Sequence, residues 1–180
     1  DVDGDGHDDV IICAPNNAAG GKDAGRAYVY SGKDGRKLHT WTGEREGDNF
    51  GATAAGYTRG KVTFLLVGAP KAGPRKTGRV YVYDRLSDKP KFIIESDETG
   101  SAFGYMFLSI PGDLDGDGTV DVYATDFGNT AKGPSTGRAY AASGKTGARL
   151  LTLTGETQGE AFGVGPSAAG DVDGDGRPDL

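Results

Sequence analysis

The chain has 180 residues, a formal net charge of −6, 32 glycines, eight prolines and one cysteine. That length supports one sizeable core, and the acidity argues against nucleic acid as a partner. No run is long and apolar enough to span a membrane.

The first nine residues, Asp1-Val2-Asp3-Gly4-Asp5-Gly6-His7-Asp8-Asp9, follow the pattern D-x-D-x-D-G-x-x-D. It returns at Asp113-Leu114-Asp115-Gly116-Asp117-Gly118-Thr119-Val120-Asp121 and at Asp171-Val172-Asp173-Gly174-Asp175-Gly176-Arg177-Pro178-Asp179. Carboxylates this crowded repel one another, and a divalent cation relieves that repulsion. The donors are hard oxygens and the glycines allow a sharp turn, which suits calcium. Zinc or copper would want imidazole or thiolate, and magnesium prefers fewer protein ligands. Three such ions would offset the whole −6.

After the first loop, Val10-Ile11-Ile12-Cys13 is short, apolar and β-branched, as is Val122-Tyr123-Ala124-Thr125 after the second. Each loop therefore opens into a strand. An EF-hand would need a glutamate at loop position 12 and flanking helices, but that position holds Ile12 and Ala124. Cys13 reads as a small buried hydrophobe, with no partner in the chain.

Gly25-Arg26-Ala27-Tyr28-Val29-Tyr30 returns as Gly78-Arg79-Val80-Tyr81-Val82-Tyr83 and as Gly137-Arg138-Ala139-Tyr140-Ala141-Ala142. Phe50-Gly51 returns at the same two intervals as Phe103-Gly104 and Phe162-Gly163, so the chain is built from internal repeats. The three arginines are expected to form a repeated structural ion pair. The second unit carries four strand-like runs, Phe50–Tyr57, Lys61–Val67, Arg79–Asp84 and Lys91–Glu95, the content of one propeller blade. Val62–Val67 and Val80–Tyr83 are apolar on both faces, which packing between neighbouring blades would satisfy. Between Phe50-Gly51 and Val62 this unit has no carboxylate, and its Arg59-Gly60-Lys61 turn should hold no metal. Ser143-Gly144-Lys145-Thr146-Gly147 lacks the first glycine of a phosphate loop. Its counterpart Ser31-Gly32-Lys33-Asp34-Gly35 marks both as hairpin turns.

Phe-Gly, the acidic loop, and then Gly68-Ala69-Pro70 or its variants Cys13-Ala14-Pro15 and Ala124-Thr125-Asp126 resemble the FG-GAP repeat of integrin alpha-subunit propellers and their bacterial relatives. The resemblance implies an all-β fold, four antiparallel strands per blade, and about three blades of a seven-bladed propeller. Residues 1–49 would supply most of blade one, 50–102 blade two, 103–161 blade three, and 162–180 the opening strand of a fourth. Calcium would be held in the first hairpin of certain blades. Its ligands would be Asp1, Asp3, Asp5, the His7 carbonyl and Asp9; Asp113, Asp115, Asp117, the Thr119 carbonyl and Asp121; and Asp171, Asp173, Asp175, the Arg177 carbonyl and Asp179.

Strand parity puts Asn16–Ala24, Lys71–Thr77, Phe127–Thr136 and the blade connectors Glu44–Asn49 and Glu156–Glu160 on the face opposite the calcium loops. Being polar and unlike one another, these loops are the expected surface for a protein or glycan ligand. The expected whole is a non-enzymatic, extracellular module for adhesion or recognition. The alternative is an accessory propeller of a secreted hydrolase or lyase. The chain begins and ends inside an acidic loop, as expected of a stretch of a longer protein whose remaining blades close the propeller. Absence of targeting signals is then uninformative.

Overall fold

The computed structural model describes residues 1–59, 62–98, 103–165 and 168–180, with Arg59 described in its backbone alone. Among these residues, eleven strands form three antiparallel meanders. The first contains β1 (Val10–Ala14), β2 (Arg26–Tyr30) and β3 (Lys37–Thr42). The second contains β4 (Thr53–Arg59), β5 (Val62–Ala69), β6 (Arg79–Asp84) and β7 (Phe92–Glu95). The third contains β8 (Leu108–Gly112), β9 (Asp121–Asp126), β10 (Arg138–Ala142) and β11 (Arg149–Thr154). No helix among the described residues is long and apolar enough to cross a membrane.

Successive side chains of β5 and β6, apolar on both faces, divide these strands between two neighbours. Leu65, Val67, Tyr81 and Tyr83 join Ala27, Val29 and Trp41 of the first sheet in one core. Phe64, Leu66, Val80 and Val82 join Val122, Ala124, Tyr140 and Ala142 of the third in another. Both faces of the middle sheet are thus buried, as blade packing requires.

The expected strand Phe50–Tyr57 begins later, at Thr53. Phe50 is a buried plug set edge-on against the Tyr81 ring at 5.3 Å, and Gly51 turns the chain at a φ of 85°. The amides of Gly51 and Ala52 both donate to the Gly68 carbonyl at 2.9 and 3.1 Å. Phe103 meets Tyr140 at the same distance. A Cβ on Gly25, Gly78 or Gly137 would overlap the backbone of Phe50, Phe103 or Phe162. The Gly-Arg and Phe-Gly motifs recur at matching intervals because they touch. The β4–β5 turn lies where expected, but residues 60 and 61 at its tip are outside the described residues.

The expected opening strand of a fourth blade does not form within 162–165 or 168–180, where the Gly170–Asp179 bridge stands alone. In the second and third sheets that opening strand, β4 or β8, pairs with β5 or β9, which follows the first hairpin.

Candidate metal centre

Each acidic loop winds on itself in the same way. In the second, the two oxygens of Asp113 accept the amides of Gly116 and Gly118 at 2.7 and 2.8 Å. Asp115 accepts Asp117 N–H at 3.0 Å, and Asp117 accepts Thr119 N–H at 2.9 Å. Asp1 binds Gly4 and Gly6 at 2.7 and 3.0 Å, while Asp3 binds Asp5 and Asp5 binds His7. Asp171 binds Gly174 and Gly176 at 2.8 and 2.9 Å, Asp173 binds Asp175, and Asp175 binds Arg177. Gly116 and Gly118 take φ values of 77° and 85°, a region open to glycine at little cost.

This winding aims the carboxylates inward. Oxygens of Asp1, Asp3 and Asp5, of Asp113, Asp115 and Asp121, and of Asp171, Asp173 and Asp179 lie within 4.8 Å of one another. All are hard donors, the set that fits a calcium-sized cation. Asp117 makes a weaker approach to Ser143 Oγ at 3.5 Å. The imidazole of His7, expected to act through its carbonyl alone, also touches the Asp5 carboxylate through Nδ1 at 3.3 Å.

The last aspartate of each loop has a further job that its place in the motif did not reveal. Asp121 is fully buried; its Oδ2 accepts the Leu114 amide at 2.7 Å and its Oδ1 the Gly144 amide at 2.9 Å. Burial pushes its carboxyl above the ordinary value and the neighbouring Asp115 charge adds to this, against the opposing pull of those two amides. Asp9 repeats the arrangement, with Val2 N–H at 2.6 Å and Gly32 N–H at 3.1 Å, and Asp179 takes Val172 N–H at 2.8 Å. Gly32 and Gly144 belong to the β2–β3 and β10–β11 hairpins, which confirms these Ser-Gly-Lys segments as turns.

The arginines that begin β6 and β10 form interblade ion pairs. Arg79 bridges Glu44 of the preceding connector, at 3.1 Å, and Glu95 of its own sheet. Arg138 reaches Asp97, while Arg26 donates to Thr42 Oγ1 at 3.0 Å. Cys13 is half-buried against the first core, and burial raises its thiol to about 11, which disfavours the thiolate.

On the opposite end of the sheets, Pro15, Asn16, Asn49, Ala52, Lys71, Tyr105 and Met106 line a cleft of about 520 Å³. Tyr105 and Met106, half-exposed, were not anticipated; their position directly after Phe103-Gly104, on the connector side of β8, could have pointed to them.

Comparison with known proteins agrees with this architecture. The FG-GAP repeat model matches residues 1–30. Integrin alpha-5 of Xenopus laevis is 29% identical over 98% of the chain, which covers 18% of that protein. Integrin alpha-PS2 of Drosophila melanogaster is 32% identical over 70% of the chain and 11% of its own length. Phosphatidylinositol-glycan-specific phospholipase D of Rattus norvegicus is 30% identical over 68% of the chain and 17% of its own length. The chain thus spans less than a fifth of each of these curated relatives. Its three sheets are blades of an FG-GAP, integrin alpha-like β-propeller.

Proposed function

We propose that this chain is a calcium-binding module of an extracellular propeller that recognises a protein or glycan on the face opposite the acidic loops. The observation that carries the reading is the threefold recurrence of one wound loop with three carboxylates converging. Asp1, Asp3, Asp5, Asp9 and the His7 carbonyl would hold one ion, with the matching sets at Asp113–Asp121 and Asp171–Asp179 holding two more. The ion would supply charge neutralisation and crosslink the first hairpin of its blade. Extracellular modules of this kind bind calcium at about 10⁻⁴–10⁻³ M.

Calorimetric titration with calcium tests it, with uptake of up to three ions expected at millimolar concentration. Chelation should lower the melting temperature, since binding to the folded form stabilises by about 2.7 kcal/mol per site at a hundredfold excess over Kd. Absence of both uptake and melting shift would end the reading. Recognition is tested separately: neutral substitutions at the exposed positions of Asn16–Ala24 or Phe127–Thr136, sparing the buried Ala24, Asn129 and Thr136, should abolish partner capture and leave stability nearly unchanged.

A second reading, an accessory propeller of a secreted hydrolase or lyase, is favoured by the similarity to phosphatidylinositol-glycan-specific phospholipase D. A catalytic domain in the same polypeptide would decide for it.

A further inference from the structure

The two acidic loops that precede a paired strand, 1–9 and 113–121, are each clasped by the last hairpin of their own sheet. That hairpin has the same sequence start, Ser31-Gly32-Lys33 and Ser143-Gly144-Lys145. In both, a register shift precedes it, between Val29 and Tyr30 or between Ala141 and Ala142. In both, the glycine amide binds the last aspartate, at 3.1 or 2.9 Å, and an added Cβ would overlap the Asp8 or Val120 carbonyl. In both, the lysine ammonium stands beside the third aspartate: Lys33 Nζ lies 3.9 Å from Asp5, and Lys145 Nζ lies 4.0 Å from Asp117 and 3.4 Å from its carbonyl.

The middle sheet provides the contrast. Its first hairpin has no carboxylate motif, its β6–β7 hairpin begins Arg85-Leu86-Ser87, and the β6–β7 register runs without a shift. Acidic loop, strand shift and Ser-Gly-Lys turn occur together or not at all in these three sheets.

We propose that the Ser-Gly-Lys hairpin is a wall of the cation site whose lysine sets its affinity; this rests on the calcium reading above. The glycine fixes the loop's last aspartate, and the lysine presents one positive charge to a carboxylate that the incoming cation must share. Without the cation, that charge relieves part of the repulsion among the aspartates. With it, ammonium and cation repel. Both effects weaken net binding and hold the site open until the outside concentration is high. Lys33 and Lys145 are 54% and 58% exposed while Asp5 and Asp117 are 21% and 22% exposed, so solvent moderates the effect without abolishing it. The first loop has a second cation, Arg36, at 3.5 Å from Asp3, which makes the second loop the cleaner test.

The test is calorimetric titration of the 180-residue chain with calcium chloride. Lys145→Met should tighten one site about two- to fivefold, the size of an exposed charge pair, and the gap from wild type should narrow with added salt. Lys145→Arg, which keeps the charge, should bind as wild type does. So should Lys89→Met, on the hairpin of the middle sheet. If wild type takes up calcium and Lys145→Met binds it no more tightly, the lysine has no such role and the calcium reading stands. If neither protein takes up calcium at millimolar concentration, the calcium reading falls and this one with it. Uptake by Lys145→Met alone would support the proposal in its strongest form.

Discussion

Arg138 at the start of β10 places Nη1 at 3.0 and 2.9 Å from the two carboxylate oxygens of Asp97, which lies in the connector leaving the middle sheet. Tyr140 donates its hydroxyl to the same carboxylate at 2.7 Å, and Arg149 stands 3.6 Å away. Burial pushes the Asp97 carboxyl up, but the Tyr140 hydrogen bond and the two arginines overcome this and hold it below the usual carboxylate range. A depressed carboxylate contributes stability that is fully present above its unfolded value, about 3.9, and is lost as pH falls through the lower folded one. Below about pH 4, melting temperature should therefore fall more steeply in wild type than in Asp97→Asn. Parallel curves would show that the pair contributes nothing to acid stability.

Gly144→Ala should destabilise the third sheet although its φ is open to any residue, because the new methyl would overlap the Val120 carbonyl. Overpacking of this kind costs about 1–3 kcal/mol. Gly35→Ala, in a hairpin with open space around it but a φ of 72°, isolates backbone strain from contact. Chemical denaturation of the two variants separates the causes.

Asp121 and Asp115 should part company when calcium is withheld. Asp121→Ala strands the Leu114 and Gly144 amides, and a buried donor without a partner costs about 1–3 kcal/mol. Asp115→Asn keeps an acceptor for Asp117 N–H and should cost less than about 1 kcal/mol. Urea unfolding with chelator present checks this; equal losses would mean that Asp121 acts only through the ion.

Leu66 is completely buried between the middle and third sheets, so Leu66→Ala should cost about 2–5 kcal/mol. A loss under about 1 kcal/mol, the range of a tolerated swap, would mean that the seam closes around the cavity.

The near-continuous apolar runs Val62–Val67 and Val80–Tyr83 were enough to anticipate burial on both faces, because that requirement is local. The three aspartate loops were legible for the same reason. The later start of β4 was not, since Phe50 and Gly51 have strand-like neighbours and only contact with Tyr81 and Gly68 makes them a plug and a turn. Nor was the clasp: Gly32 and Gly144 meet Asp9 and Asp121 across more than twenty residues, and spacing within either motif does not encode their meeting. Two further ties hold blade to blade, from Arg85 to the Val2 carbonyl at 3.1 Å and from Lys91 to the Gly144 carbonyl at 2.7 Å.

The divided strands β5 and β6 make each joint between blades separately adjustable. A substitution at Leu65 or Tyr83 addresses the joint toward the first sheet, and one at Leu66 or Val82 addresses the joint toward the third. Adjacent letters of the sequence thus answer to different neighbours. The lean of one blade against the next can drift at one joint while the other keeps its fit, which lets a single sheet sit between partners of different curvature.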